Sequence, residues 1–183
     1  MQSRYRQWLI SEPRAGILSL PNVLETLARK SGKTVLLHEH ALPPGVQAAE
    51  LAPTHIPHVL TVVEAALAEQ TAGAVKRIEA ALQEHADDAE ALALATEAAV
   101  EELGEVVLNM SNNNAFGDQE ALALAQGLAE LLGRRPQLRG AFTELWLHHT
   151  SVGASGGGVG GTALASFLIA APAIKVSNHP AQL

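Results

Sequence analysis

The chain has 183 residues, a length for one domain or one domain with an arm. Hydrophobic residues make up 48% but aromatics only 3%, so the core is expected from Ala, Leu and Val, a composition that favours packed helices. A net charge of −7 argues against a nucleic-acid partner, and the lack of cysteine excludes disulfides, thiolate metal sites and cysteine nucleophiles.

The start Met-Gln-Ser-Arg-Tyr-Arg has no apolar signal core, which points to a cytoplasmic protein. Residues 1–54 read as an irregular arm, broken by Pro13, Pro21, Pro43, Pro44 and Pro53. Within it, Ser19 before Leu20-Pro21 marks a short helix to about Lys30. Thr34 to His38 has the β-branched, apolar character of a strand with no evident partner. Residues 39–54 read as an extended connector able to reach a second subunit.

From residue 55 to 176 the pattern is helical, leaving 177–183 as a tail. Thr54 is placed to cap a helix to about Thr71, with Val59, Leu60, Val63 and Leu67 on one face and Gly73 as an interruption. Asp87 with Glu90 resembles a capping box for a helix to about Leu103. Val106-Val107-Leu108 leads into the loop Ser111-Asn112-Asn113-Asn114. Asp118 caps a helix whose apolar stripe is Ala121, Leu124, Ala125, Leu128, Leu131 and Leu132, with Gly133 as its stop. Pro136 opens a further helix bearing Leu138, Phe142, Leu145 and Trp146, and Thr162 to Ala171 forms the last one. The expected fold is mainly α: an antiparallel helical bundle with an irregular, Pro-containing N-terminal arm.

The chemistry-bearing residues gather near residues 144–161. Gly153-Ala154-Ser155-Gly156-Gly157 matches a G-x-S-x-G nucleophile elbow, but no acid follows Ser155 and only His179 does. Gly156-x-Gly158-x-x-Gly161 matches a dinucleotide fingerprint, but Glu144 to Thr150 reads as helix where a strand is needed, and no acid follows. On that helix Glu144 and His148 share a face, with His149 and Ser155 close by; these four are the candidate ligand or metal residues. The histidine pairs 38/40 and 55/58 read as helix-end residues, and Glu97, Glu101, Glu102 and Glu105 as a solvated face. No metal site is assigned and no cofactor is required.

Gly153, Gly157, Gly161 and Ala165 fall at every fourth position, a small-residue ridge in an uncharged run from Val152 to Ile174. The run's glycine-rich first half makes a membrane span the weaker expectation. The leading functional expectation is association, as a homo-oligomer or with a protein partner, through Leu128, Phe142 and Trp146. The alternative is an enzyme or a metal- or small-ligand-binding protein with its site near Glu144, His148, His149 and the 153–161 glycine loop. A membrane-active role for 152–174 is the third.

Overall fold

The computed structural model describes residues 29, 32–101, 103–154, 158–171 and 174–177. The helix expected over Pro21–Lys30 therefore lies almost wholly outside the described residues, as does Ser155.

Helix dominates, but the chain alternates strand and helix. The elements are β1 (Thr34–Leu37), a short α1 (His38–Ala41), α2 (Ile56–Glu84), α3 (Ala89–Glu101), β2 (Val106–Asn109), α4 (Asp118–Arg134), β3 (Phe142–Trp146), α5 (Val159–Ala170) and β4 (Lys175–Ser177). The four strands form one parallel sheet in the order β1-β2-β3-β4. Parallel neighbours need a crossover, and each crossover here contains helix.

Sequential order with crossovers of one hand brings the helices to one face of the sheet. The core agrees. Leu36, Val106, Leu108 and Leu145 join a single cluster with Val59 and Val63 of α2, Leu124 and Leu128 of α4, and Leu164 and Phe167 of α5. Val107 and Trp146, with Val35, form a second cluster on the other face.

The sequence pattern does not reveal the sheet, for local reasons. Val106, Val107 and Leu108 are buried on both faces, so they show a continuous apolar run rather than alternation. In Phe142–Trp146, the positions Phe142, Leu145 and Trp146 fit helical spacing by coincidence. A Thr and two aromatics within five residues suit a strand better, and the segment pairs with β2 on one side and β4 on the other. The helix expected after Pro136 is one 3-10 turn, Pro136–Leu138. A bulge between Val106 and Val107 shifts the β2–β3 register.

Strand 34–37 has a partner after all, in β2. The segment expected as a free connector puts Ala41, Leu42 and Leu51 into the core. Helix α2 runs straight through Gly73 for 29 residues. Asp88 rather than Asp87 opens α3, its carboxylate accepting from the Ala91 N–H at 3.0 Å. At α4 the Glu120 carboxylate accepts from the Gly117 N–H at 3.0 Å, while Asp118 reaches across to the Gly153 N–H, also at 3.0 Å.

Two glycines set how closely helices pack. Gly127 of α4 lies against the Leu60 side chain of α2, where a Cβ would collide. At Gly160 a Cβ would stand 2.6 Å from the Asp118 Cα, so α5 docks backbone to backbone on the first turn of α4. Close approach was expected of the ridge 153/157/161. The structure assigns it to Gly160, one position out of that phase, while Gly161 faces open space and Gly153 lies in a turn. Among the described residues no helix is long and apolar enough to cross a membrane.

Candidate functional site at the carboxyl edge of the sheet

In open α/β sheets, ligands bind beyond the carboxyl ends of the strands where the strand order reverses; this sheet runs β1-β2-β3-β4 without a reversal, so its carboxyl edge is singled out by its residues instead. The buried polar side chains of this chain gather there. Among the described residues they are His38, Thr71, Asn109, Ser111, Asn113 and His148. Thr71 is a helix residue whose hydroxyl donates to the Leu67 carbonyl. The other five follow or close a strand: His38 after β1, Asn109 at the end of β2 with Ser111 and Asn113 beyond it, and His148 after β3.

The two loops after β2 and β3 are laced together. The ladder continues past the strands, Met110 N–H donating to the Trp146 carbonyl at 2.9 Å and Asn112 N–H to the His148 carbonyl at 2.7 Å. The Asn109 side-chain oxygen accepts from Ser111 N–H, and Ser111 Oγ accepts from His148 N–H. Ser151 donates twice across the gap, from its N–H to the Phe116 carbonyl and from Oγ to the Asn114 carbonyl. Asp118 completes the lacing through Gly153.

Two features of this lacework are unusual. Asn112 and His149, at φ 60° and 53°, are the non-glycine residues with positive φ among those described. Each lies three residues beyond a strand end, and those ends, Asn109 and Trp146, are in register. Left-handed backbone costs roughly 1–2 kcal/mol at such positions, somewhat less for Asn. Strain of this kind collects where function needs a fixed loop. The second feature is Asn113, 1% exposed. Its oxygen accepts from the Ala115 N–H at 3.2 Å, while its buried Nδ2 has no hydrogen-bond partner. An orphaned buried donor costs about 1–3 kcal/mol.

The two helices that start at this edge differ in charge. The first turn of α4 carries Asp118 and Glu120, whose carboxylates neutralise the positive end of its dipole. At the start of α5 there is no acid and no side-chain cap; Gly158, at φ 59°, is the N-cap. Among the described residues, nothing lies within 4 Å of where a Cβ on Gly153, Gly158 or Gly161 would stand.

Of the four candidates from the sequence, Ser155 lies outside the described residues, and Glu144 is not brought together with His148 and His149. Four residues of extended chain span roughly 13 Å, so Glu144 within β3 and His148 beyond its end do not share a site. Glu144 belongs to an ion network on the sheet's second face. Lys33 Nζ lies 2.6 Å from its carboxylate and 2.7 Å from that of Glu105, and the Trp146 indole N–H donates to it at 2.8 Å. Burial alone would push the Glu144 carboxyl up. The Lys33 and Trp146 donors, helped by the charges of Lys33 and Lys175, outweigh it and hold the carboxyl below its usual range. Burial likewise opposes the Lys33 charge, and the two carboxylates more than offset it, raising its pKa. His148 is buried beside Ser111, and His149 is exposed on the rim. Leu128, Phe142 and Trp146, expected at an interface, are buried within the chain itself. Among the described residues no group of three His, Asp or Glu is arranged to hold a metal ion.

The two glycine motifs fare differently against this geometry. A nucleophile elbow sits at the strand end, whereas Ser155 comes nine positions after Trp146, the last residue of β3. The dinucleotide fingerprint has β3 before it and α5 after it, but Gly156 comes ten positions beyond Trp146 rather than directly after the strand. It still lacks an acid, because the sequence after Gly161 contains none.

The sequence marks Ser111 and Asn113 only as loop residues and does not single out Asn109. The available signal was a polar run directly after a buried apolar triplet, which in a parallel sheet marks a carboxyl end. No known protein family matches the chain, and no curated protein or solved structure matches it.

Proposed function

We propose that the protein binds a small ligand bearing an oxyanion, phosphate or carboxylate, at the carboxyl edge of its sheet. The observation that carries this reading is the concentration of five buried polar side chains beyond three adjacent strands, in a chain with one other such residue among those described. Polar groups are retained in a core where they are satisfied or used.

The chemistry of the edge is donor-rich. The start of α5 presents N–H groups without a side-chain cap or an acid in its own first turn, and Asp118, packed against Gly160, has its carboxylate engaged by the Gly153 N–H. The buried Nδ2 of Asn113 is an independent second donor in want of an acceptor. Among the described residues nothing crowds Gly153 or Gly158, which leaves the backbone there open to close approach. The missing acid disfavours a ribose contact, so the reading is an oxyanion rather than a whole dinucleotide. His149, exposed on the rim and held in a strained conformation, is the residue nearest in character to an acid–base group.

Calorimetric titration of the full chain with pyrophosphate and, separately, with citrate tests the reading and tells the two oxyanion sources apart. A single-site isotherm for one of them is expected. Asn113→Asp keeps the oxygen that Ala115 needs and replaces the donor with an acceptor or a charge, so it should abolish binding. Silence with both anions, or an isotherm unchanged in Asn113→Asp, would count against the reading.

A further inference from the structure

The distal half of the α2–α3 hairpin is not used by the site above. Beyond Thr71, only Ala74 and Ala81 of α2 and Ala99 of α3 are buried among the described residues. One side of this hairpin carries an open groove of about 310 Å³. Ala80 and Ala81 form one wall, and Ala95, Ala98 and Ala99 the other. One helical turn before Ala98, and so beside the α3 wall by helix spacing, Leu94 is 62% exposed. A knob and a hole on the same patch make that patch self-complementary, the requirement for a two-fold interface.

The charges on this side fit the same operator. Arg77 and Glu84 line the groove at opposite ends. If two copies of α2 cross antiparallel, centred between Ala80 and Ala81, Arg77 falls opposite the partner's Glu84 and Glu84 opposite the partner's Arg77. The alanines at the centre allow close approach of the two helices. Other occupants fit less well. Residues 72–100 hold six acids (Glu79, Glu84, Asp87, Asp88, Glu90, Glu97) against two strong bases (Lys76, Arg77), so nucleic acid and anionic lipid are repelled. A second copy brings its own arginine.

We infer that this chain forms a two-fold dimer through the α2–α3 hairpin, with Leu94 of each copy seated in the other's alanine groove and Arg77 facing Glu84 across the axis. This is independent of the ligand reading and moves the association surface away from Leu128, Phe142 and Trp146.

Light scattering on the full chain over about 1–100 μM is the test, since interfaces of this kind fall in that affinity range or tighter. A species of twice the 19.2 kDa chain mass is expected. Leu94→Glu should weaken the dimer about tenfold or more, the loss typical of an interface anchor, with an unchanged circular-dichroism spectrum because Leu94 is exposed. Arg77→Glu should weaken it less, and Arg77→Glu combined with Glu84→Arg should restore it, since the double reversal preserves both cross-axis pairs. A monomeric wild type, a Leu94→Glu dimer of wild-type affinity, or a double reversal no better than the single one would overturn the inference.

Discussion

Helix α2 is two helices in its surroundings. Its first half buries Ile56, Val59, Val63 and Leu67 against the sheet, whereas its second half buries Ala74 and Ala81 against α3. At 1.5 Å per residue, its 29 residues span roughly 43 Å, against roughly 13–17 Å for strands of four or five residues. One continuous helix therefore leaves the layered core and continues as a projecting hairpin. The side chains it buries are branched or large aliphatics where it covers the sheet and alanines where it does not, with Val75, Ile78 and Leu82 of the second half left partly or largely exposed. Packing energy is therefore expected at the sheet, association at the hairpin and polar chemistry at the strand ends.

The sharpest way to break this contrast is to delete volume in each half. Phe142→Ala should destabilise the fold by about 3–5 kcal/mol in urea unfolding, because Phe142 is fully buried between strands and helices. Leu94→Ala, on the hairpin rim, should change monomer stability by no more than about 0.5 kcal/mol. Comparable losses at the two positions would mean that the hairpin is part of the core.

Smaller effects sharpen the same picture at the glycines of α5. Gly160→Val drives a side chain into the Asp118 backbone and should lower stability by about 1–3 kcal/mol. Gly161→Ala enters open space in a helix and should raise stability by about 0.5–1 kcal/mol. Thermal unfolding of the pair reports whether α5 sits on α4 in this phase, since a ridge at 161 would reverse the two signs.

The Lys33–Glu144 network gives a pH signature. Glu144 has a folded pKa below its ordinary 4.5, so its contribution is present above about pH 4.5 and is lost as pH falls through the folded value. Lys33 has a folded pKa above its ordinary 10.5, so its contribution is present below that and is lost only as pH rises through the raised value. Lys33→Met should therefore flatten the acid limb of the stability–pH profile. An acid limb identical to wild type would remove the network from the account.

What could be read from sequence follows the length of each signal. Helix α4 was legible because six apolar positions, Ala121 to Leu132, repeat at helical spacing over a full stripe. Strand β1 was legible from Thr34 and Val35, but its partner was not, because pairing is set by β2 more than sixty residues later. Strands β2 and β3 were hidden for opposite reasons: β2 has no alternation because both faces are buried, and β3 has a chance helical spacing. Misreading β3 as helix then joined Glu144 to His148 and hid the strand before the glycines. Of the site, His148 and His149 were legible as polar residues beside a glycine run. Asn113 was not, because an unpaired amide is a property of the surroundings rather than of the residue.

An amide-resolved titration of the isotopically labelled full chain with pyrophosphate tests the central claim most directly. The account predicts shifts confined to the loop amides of 111–118 and 149–153 and to the first turn of α5 at 159–161, with the α2–α3 hairpin silent. Saturating anion that leaves those amides unmoved, or that moves the hairpin instead, would contradict it.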